Sequence, residues 1–320
     1  MKLKRIIVCM LLVSMVTAAL TGCGTKKVFK IGVNQLVTHD ALDASYQGFV
    51  DALKEAGYED GKNIKIDYQN ANGDQPTANT IATKLVNDNN DLILAIATPS
   101  AQACATATKE IPILITAVTD PAGSKLVASN EAPGGNVSGT SDLNPVEDQI
   151  DLLLKLVPEA KHIAILYCSS ESNSKIQVDM ATTAAEAVGL TVEEASVSNS
   201  NEIQQVVQSL VGKVDAIYAP TDNVIAAGMT TVAQVANDNG IPVICGESGM
   251  VDNGGLATYG INYYELGVLT GKQAVKIIKG DAKIADMPIE YLPVDSLELA
   301  INEEVAEKLG ITIPEDLKTN

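Results

Sequence analysis

The segment Asp91 to Ala103 limits the possible folds more than any other stretch of this chain. Leu92 to Ala97 is an unbroken apolar run. A run that short and uniform reads as a strand covered on both faces, which calls for a parallel sheet under helices. It breaks at Thr98-Pro99-Ser100, where a hydroxyl at the cap and proline at the first helical position predict a helix start. A buried strand thus delivers its C-terminal end into a helix N-terminus. The unpaired N–H groups and positive dipole end there suit a small anion such as a carboxylate. The alternative is that Thr98 and Ser100 only cap their own helix.

The same order of elements occurs twice. Val28 to Val33 reads as a strand, and a helix with Leu42, Tyr46, Phe49 and Leu53 on one face runs to Gly57. Ile64 to Tyr68 alternates like a half-exposed strand, and Asp74-Gln75-Pro76 opens a helix with Ala78, Ile81, Ala82, Leu85 and Val86 on one face. The strand around Ile111-Pro112-Ile113-Leu114-Ile115 ends at Thr119-Asp120-Pro121, which reads as a second polar helix start. In the second half, Lys161 to Leu166 corresponds to Phe29 to Val33, and Leu190 to Glu194 to the exposed strand. Ile203, Val206, Val207, Leu210 and Val211 repeat the spacing of Ala78 to Val86. Asp215 to Asp222 and Ile241 to Ile244 take the places of the opening stretch and of Ile111 to Leu114.

Two similar, doubly wound α/β lobes are expected. The tail after Gly260 is too short for a domain and must complete them, so the hinge crosses several times, near Gly139–Asn144, Tyr259–Tyr263 and Met287–Asp295. The expected division is residues 28–142 plus about 261–286 for the first lobe. The second takes 143–260 plus about 287–320.

Residues 1–22 stand apart from that fold. Met1-Lys2-Leu3-Lys4-Arg5 is a basic start, Ile6 to Leu20 is apolar but short for a membrane span, and Leu20-Thr21-Gly22-Cys23 resembles the bacterial lipobox. The expectation is a lipoprotein signal peptide, lipidation at Cys23, and a tether over residues 23–27. The protein would then sit outside the cytoplasm on a lipid anchor to the cell membrane. Removing residues 1–22 moves the formal charge from −18 to −21 and takes away Arg5, the only arginine. So acidic a chain does not suit nucleic acid, which needs basic patches. Cys104, Cys168 and Cys245 read as buried free thiols, with a Cys168–Cys245 disulfide as the alternative.

In open α/β sheets ligands sit beyond the C-terminal ends of the strands. Two facing lobes would bring Gln35, His39, Thr98, Ser100, Thr119 and Asp120 opposite the run Ser169 to Ser174 and Asp222, Asn223 and Glu247. Hydroxyls and helix starts dominate one side; acids and amides dominate the other. That polarity suits a zwitterion. Without arginine no guanidinium clamp can take the carboxylate, so hydroxyls and a helix N-terminus must. Asp222 or Glu247 would take the ammonium group, unless Asp222 is a helix cap and Glu247 a solvated loop acid.

Gly246-Glu247-Ser248-Gly249-Met250 lacks the final glycine of a nucleophile elbow. No GxGxxG, P-loop, HExxH or cysteine–histidine cluster is present, so no enzyme, cofactor or metal is expected. A sugar or nucleoside receptor is the stronger rival. Yet the chain has no tryptophan and only two phenylalanines for stacking, which leaves tyrosines such as Tyr167, Tyr218, Tyr263 and Tyr264.

Several motifs resemble those of ABC-transporter substrate-binding lipoproteins of the tryptophan/aromatic amino-acid binding group. They are the lipobox, Gln35 to Ala44 before Gly48-Phe49, Ala97-Thr98-Pro99-Ser100-Ala101, Val118-Thr119-Asp120-Pro121, Ser138-Gly139-Thr140-Ser141-Asp142 and Pro220-Thr221-Asp222-Asn223. The resemblance spans essentially the whole mature chain. It implies a type I periplasmic-binding-protein fold and a monomeric receptor that hands a small amino acid, aromatic favoured, to an ABC permease. It also implies the carboxylate at Thr98 and Ser100 with Thr119 nearby, and the amino group near Asp222. Asp40 departs from the pattern, since the resembling proteins usually place proline after the histidine.

Overall fold

The computed structural model describes residues 28–318. The expected signal peptide, Cys23 and the expected tether therefore lie outside the described residues. In the first half the chain forms β1 (Phe29–Gln35), α1 (Asp40–Glu55), β2 (Ile64–Asn70), α2 (Gln75–Asn87), β3 (Leu92–Ile96), α3 (Thr98–Ala107), β4 (Ile113–Val118) and β5 (Val137–Ser141). The second half repeats this with α4 (Val146–Leu156), β6 (His162–Cys168), α5 (Ser172–Ala187), β7 (Thr191–Val197), α6 (Ile203–Leu210), β8 (Ala216–Ala219), α7 (Asn223–Ala227), α8 (Met229–Asp238), β9 (Val243–Cys245), α9 (Ser248–Asp252) and β10 (Ala257–Gly260). The tail adds α10 (Tyr263–Lys279), β11 (Glu290–Tyr291), β12 (Glu298–Ile301) and α11 (Glu303–Leu309).

Two six-stranded sheets result, ordered β11-β5-β4-β3-β1-β2 and β12-β10-β9-β8-β6-β7. Apart from the tail strands the two orders superpose, which is the duplication seen in the element order. All neighbours run parallel except β10 and β12. Parallel strands buried on both faces need no polar alternation. In β3, Leu92, Leu94 and Ile96 pack into one core while Ile93 and Ala95 pack into another across the sheet. The second lobe has a similar pair of cores.

Three sequence expectations need correction. Thr98 is not the cap of α3: the cap is Ala97, so the helix starts at Thr98 and no side chain closes its end. No helix follows Thr119-Asp120-Pro121. Ser124 N donates to Asp120 O, but Lys125 turns left-handed (φ 61°), and the segment stays a series of turns. The last crossing falls in the expected stretch Met287–Asp295, but the lobe boundary set at about 287 comes a few residues early. Ser138 Oγ donates to Met287 O and β11 pairs with β5, so the chain stays with the first sheet through Tyr291 and crosses only before β12.

One long helix contact helps to build the first lobe. α10, arriving from β10 of the second sheet, packs on α1 of the first. Gly48, Gly267 and Gly271 let the two backbones approach; a Cβ on Gly267 would stand 1.9 Å from the Ser45 carbonyl oxygen.

Candidate functional site

The C-terminal strand ends of both sheets close on a cavity of about 20 Å³, room for one small polar group and far below the roughly 300–1,000 Å³ of sites that hold a whole small molecule. From the first lobe and the hinge it is lined by His39 before α1, Leu42 in the first turn of α1, Ala117 and Thr119 at the end of β4, Asp142 after β5, and Tyr263 at the start of α10. From the second lobe come Asn173 in the first turn of α5, Thr221, Asp222, Asn223 and Ala226 around the start of α7, and Glu247 before α9. No lysine or arginine lines it.

Of the residues expected from sequence, the cavity wall holds His39, Thr119, Asp222, Asn223 and Glu247. Gln35 is buried beside α1, its amide donating to Val37 O at 2.9 Å and to Asp43 Oδ1 at 2.6 Å. Asp120 is half-buried and caps its own turn through Gly123 N at 3.0 Å. Ser100 points at Asn34, with its Oγ 3.4 Å from Asn34 Oδ1. The Thr98 hydroxyl has no hydrogen-bond partner among the described residues. The backbone before Thr98 is strained, because Ala97 takes φ 79° and ψ 153°, a region nearly reserved for glycine. Ala97 N donates to Thr116 O at 3.1 Å, so the uncapped end of α3 is tied to β4 one residue before Ala117.

The acids divide by how fully they are used. Asp222 Oδ2 accepts from Cys168 N and Ser174 Oγ, both at 2.6 Å, and Oδ1 accepts from Ile225 N at 2.9 Å. Asp222 is thus the cap of α7 and a brace to β6, although burial pushes its carboxyl up. Glu247 caps α9 through Gly249 N at 2.6 Å, and burial pushes it up to about 7. Asp142, unlike Asp222, has one oxygen engaged and one buried oxygen left over. Its Oδ2 accepts from the Tyr263 hydroxyl at 2.7 Å, while its buried Oδ1 has no partner. Burial pushes this carboxyl up as well.

One buried acid behind the wall went unassigned in the sequence. Glu171 accepts from Asn223 N, Asn223 Nδ2, Asn173 Nδ2 and Val224 N. Burial, with Asp222 nearby, pushes its carboxyl up to about 8. Glu171 and Asn173 lie inside the run Ser169 to Ser174, where spacing alone distinguishes no member. Asp142 ends a noted motif without an assigned role. A lone acid inside the expected lobe crossing Gly139–Asn144 was the signal available for it.

Side-chain hydrogen bonds join the lobes around the cavity. His39 Nε2 lies 3.3 Å from Asn223 Oδ1, Asn253 Nδ2 donates to Asp40 Oδ2 at 2.9 Å, and Gln102 Nε2 donates to Ser172 Oγ at 3.1 Å. Cys104, Cys168 and Cys245 are buried free thiols. Among the described residues no group of three or more His, Cys, Asp or Glu side chains could hold a metal ion.

A family model described as ABC transporter substrate binding protein matches residues 30–320. A tyrosine-binding protein of Clostridioides difficile (strain R20291) is 48% identical over 287 residues, covering 90% of this chain and 82% of that protein. The crystal structure of an ABC domain in complex with L-Trp from Streptococcus pneumonia is 45% identical, with a TM-score of 0.87 over 90% of this chain and 97% of that one. A substrate-binding protein with adhesive properties from Clostridium difficile, in a ligand-free, open structure, is 49% identical over 90% of this chain and 97% of that one, but its TM-score is 0.68. At nearly equal identity, the score is lower against the open, ligand-free structure than against the L-Trp complex.

Proposed function

The chain belongs to the ABC transporter substrate-binding protein family, and from that membership we propose that its ligand is a free aromatic α-amino acid held between the lobes. Family members are receptors rather than enzymes and work outside the cytoplasm, beside the transporter they serve. The observation that carries the ligand reading is the cavity itself: small, acid-lined and without a basic side chain. It suits one cationic group on a compact molecule.

A carboxylate finds its partners in the first lobe, although neither Thr98 nor Ser100 lines the cavity itself. The uncapped start of α3 offers N–H groups and the unpartnered Thr98 hydroxyl, and Thr119 lines the cavity. Leu42, Ala117, Ala226 and the Tyr263 ring form the apolar wall. Relatives named for tyrosine and crystallised with L-Trp support an aromatic ligand. Closure upon ligand follows from contacts made by both lobes at once, which favour the closed state over the open one. We further infer a monomer tethered by lipid at Cys23 that presents its ligand to the permease without chemical change.

Calorimetry and thermal-shift screening of the purified protein against the common amino acids, sugars and nucleosides tests this reading. L-tyrosine or L-tryptophan should raise the melting temperature most. Stabilisation by a sugar or nucleoside and by no amino acid would refute it.

A further inference from the structure

Resting on the amino-acid reading, the inference here concerns where the amino group binds. Three acceptor atoms at the cavity have no donor in hydrogen-bonding geometry: Asp142 Oδ1, Asn173 Oδ1 and His39 Nδ1, all buried, with the Thr119 hydroxyl, besides that of Tyr263, a protein donor near the Asp142 carboxyl. Buried acceptors in native proteins find partners, and three orphans around one cavity mark a missing donor group. An ammonium group offers three N–H donors and no acceptor.

The orientation of each orphan follows from its neighbours. The Asn173 amide is pinned by its Nδ2, which lies within 3.3 Å of Glu171 Oε2 and Thr221 O and 3.4 Å of Ser174 Oγ. Its oxygen is therefore the free end. Asn223 Nδ2 also donates to Glu171, so Asn223 Oδ1 is the atom that faces His39 Nε2. An oxygen there requires the proton on Nε2. Burial pushes the imidazole toward its neutral form, which leaves Nδ1 with a lone pair. Glu171 thereby sets two amides and, through one of them, the histidine tautomer. Asp142 supplies the charge: Tyr263 occupies Oδ2 from across the hinge and leaves Oδ1 open. Of the acids expected from sequence, Asp222 has both oxygens engaged, and Glu247 spends Oε2 on capping α9.

We propose that the ligand's α-ammonium group binds Asp142 Oδ1, Asn173 Oδ1 and His39 Nδ1, with Glu171 as the positioning residue behind them. Asp142 lies where the chain leaves the first lobe, and Asn173 belongs to the second. The amino group thus joins the hinge to both lobes, and a ligand lacking it closes them less well.

The test compares L-tyrosine with 3-(4-hydroxyphenyl)propionate, the same molecule without its amino group, by calorimetry. Asp142→Asn keeps an acceptor for Tyr263 while removing the charge. It should weaken L-tyrosine binding about 10- to 100-fold, the loss of a hydrogen bond to a charged group, and leave the propionate unaffected. Asn173→Ala should narrow the same preference by a smaller factor. An Asp142→Asn protein with the wild-type preference overturns the proposal, as does a preference that collapses in Glu247→Gln instead. Wild-type protein that binds no aromatic amino acid overturns the parent reading, which separates the two failures. The nitrogen resonances of His39 give a readout without mutation. Nδ1 should be unprotonated in the free protein and should shift with L-tyrosine but not with the propionate; equal shifts with both overturn the assignment.

Discussion

Asp40→Pro separates folding from lobe closure. Asp40 is the first residue of α1, a position whose N–H has no intrahelical partner and where proline is favoured. His39 before it is extended (φ −160°, ψ 164°), as a residue preceding proline should be. The substitution loses one acid from the first turn, worth about 0.3–1 kcal/mol, though Asp43 remains there. It gains about 0.4–1 kcal/mol from a stiffer unfolded chain. The two nearly cancel, so the melting temperature should stay within about 4 °C of wild type, equivalent to about 1 kcal/mol in a protein of this size. What is lost is the acceptor for Asn253 Nδ2, 2.9 Å away on the other lobe. At an exposed site that bond contributes about 0.5–1.5 kcal/mol to closure, so ligand release should quicken about 2- to 13-fold. The chain has no tryptophan, so bound L-tryptophan is the only indole, and a stopped-flow chase of its fluorescence reads the release rate. Unchanged release at an unchanged melting temperature would show that the Asp40–Asn253 bond does not hold the lobes together.

Asp222→Ala should act on folding before it acts on binding. Loss of the α7 cap and unpairing of Cys168 N and Ser174 Oγ should together cost about 2–4 kcal/mol in urea unfolding. Gly267→Ala should destabilise the first lobe by about 1–3 kcal/mol, because its Cβ would stand 1.9 Å from the Ser45 carbonyl oxygen; scanning calorimetry reads the loss. The free protein should also lose stability as pH rises. Glu247 and Glu171 are held at about 7 and about 8 against an ordinary 4.5, so the folded state binds more protons than the unfolded one. Their contribution is full below pH 4.5 and is lost as pH passes through 7 and 8. A melting temperature that climbs over this interval in the ligand-free protein would contradict both shifts.

Much of the architecture was legible from pattern because its causes are local. A uniformly apolar strand such as Leu92–Ile96 announces cover on both faces, and the repeated order of elements announces a second sheet like the first. The misreadings came where local signals compete. Thr98 and Pro99 start a helix, but Ala97 rather than Thr98 is the cap. Thr119-Asp120-Pro121 carries the residues of a helix start, yet the chain after it turns back on itself. The lobe boundary moved past Tyr291 because β11 spans only two residues, too few for any periodicity to show.

The sequence by itself determined the two-lobed α/β plan, the placing of polar residues at strand ends and the lack of an arginine clamp. Burial pattern, turn chemistry and composition act within a short stretch of chain, so they can be read from it. Only the tertiary structure decided which polar atoms remain free. Asp222 looked like the ligand's acid until Ser174, Cys168 and Ile225 were seen to claim its oxygens. Asp142, unassigned in the sequence, keeps one oxygen unpaired because Tyr263, 121 residues away, reaches only the other. Hydrogen-bond partners far apart in sequence settle that allocation, and no spacing along the chain encodes it.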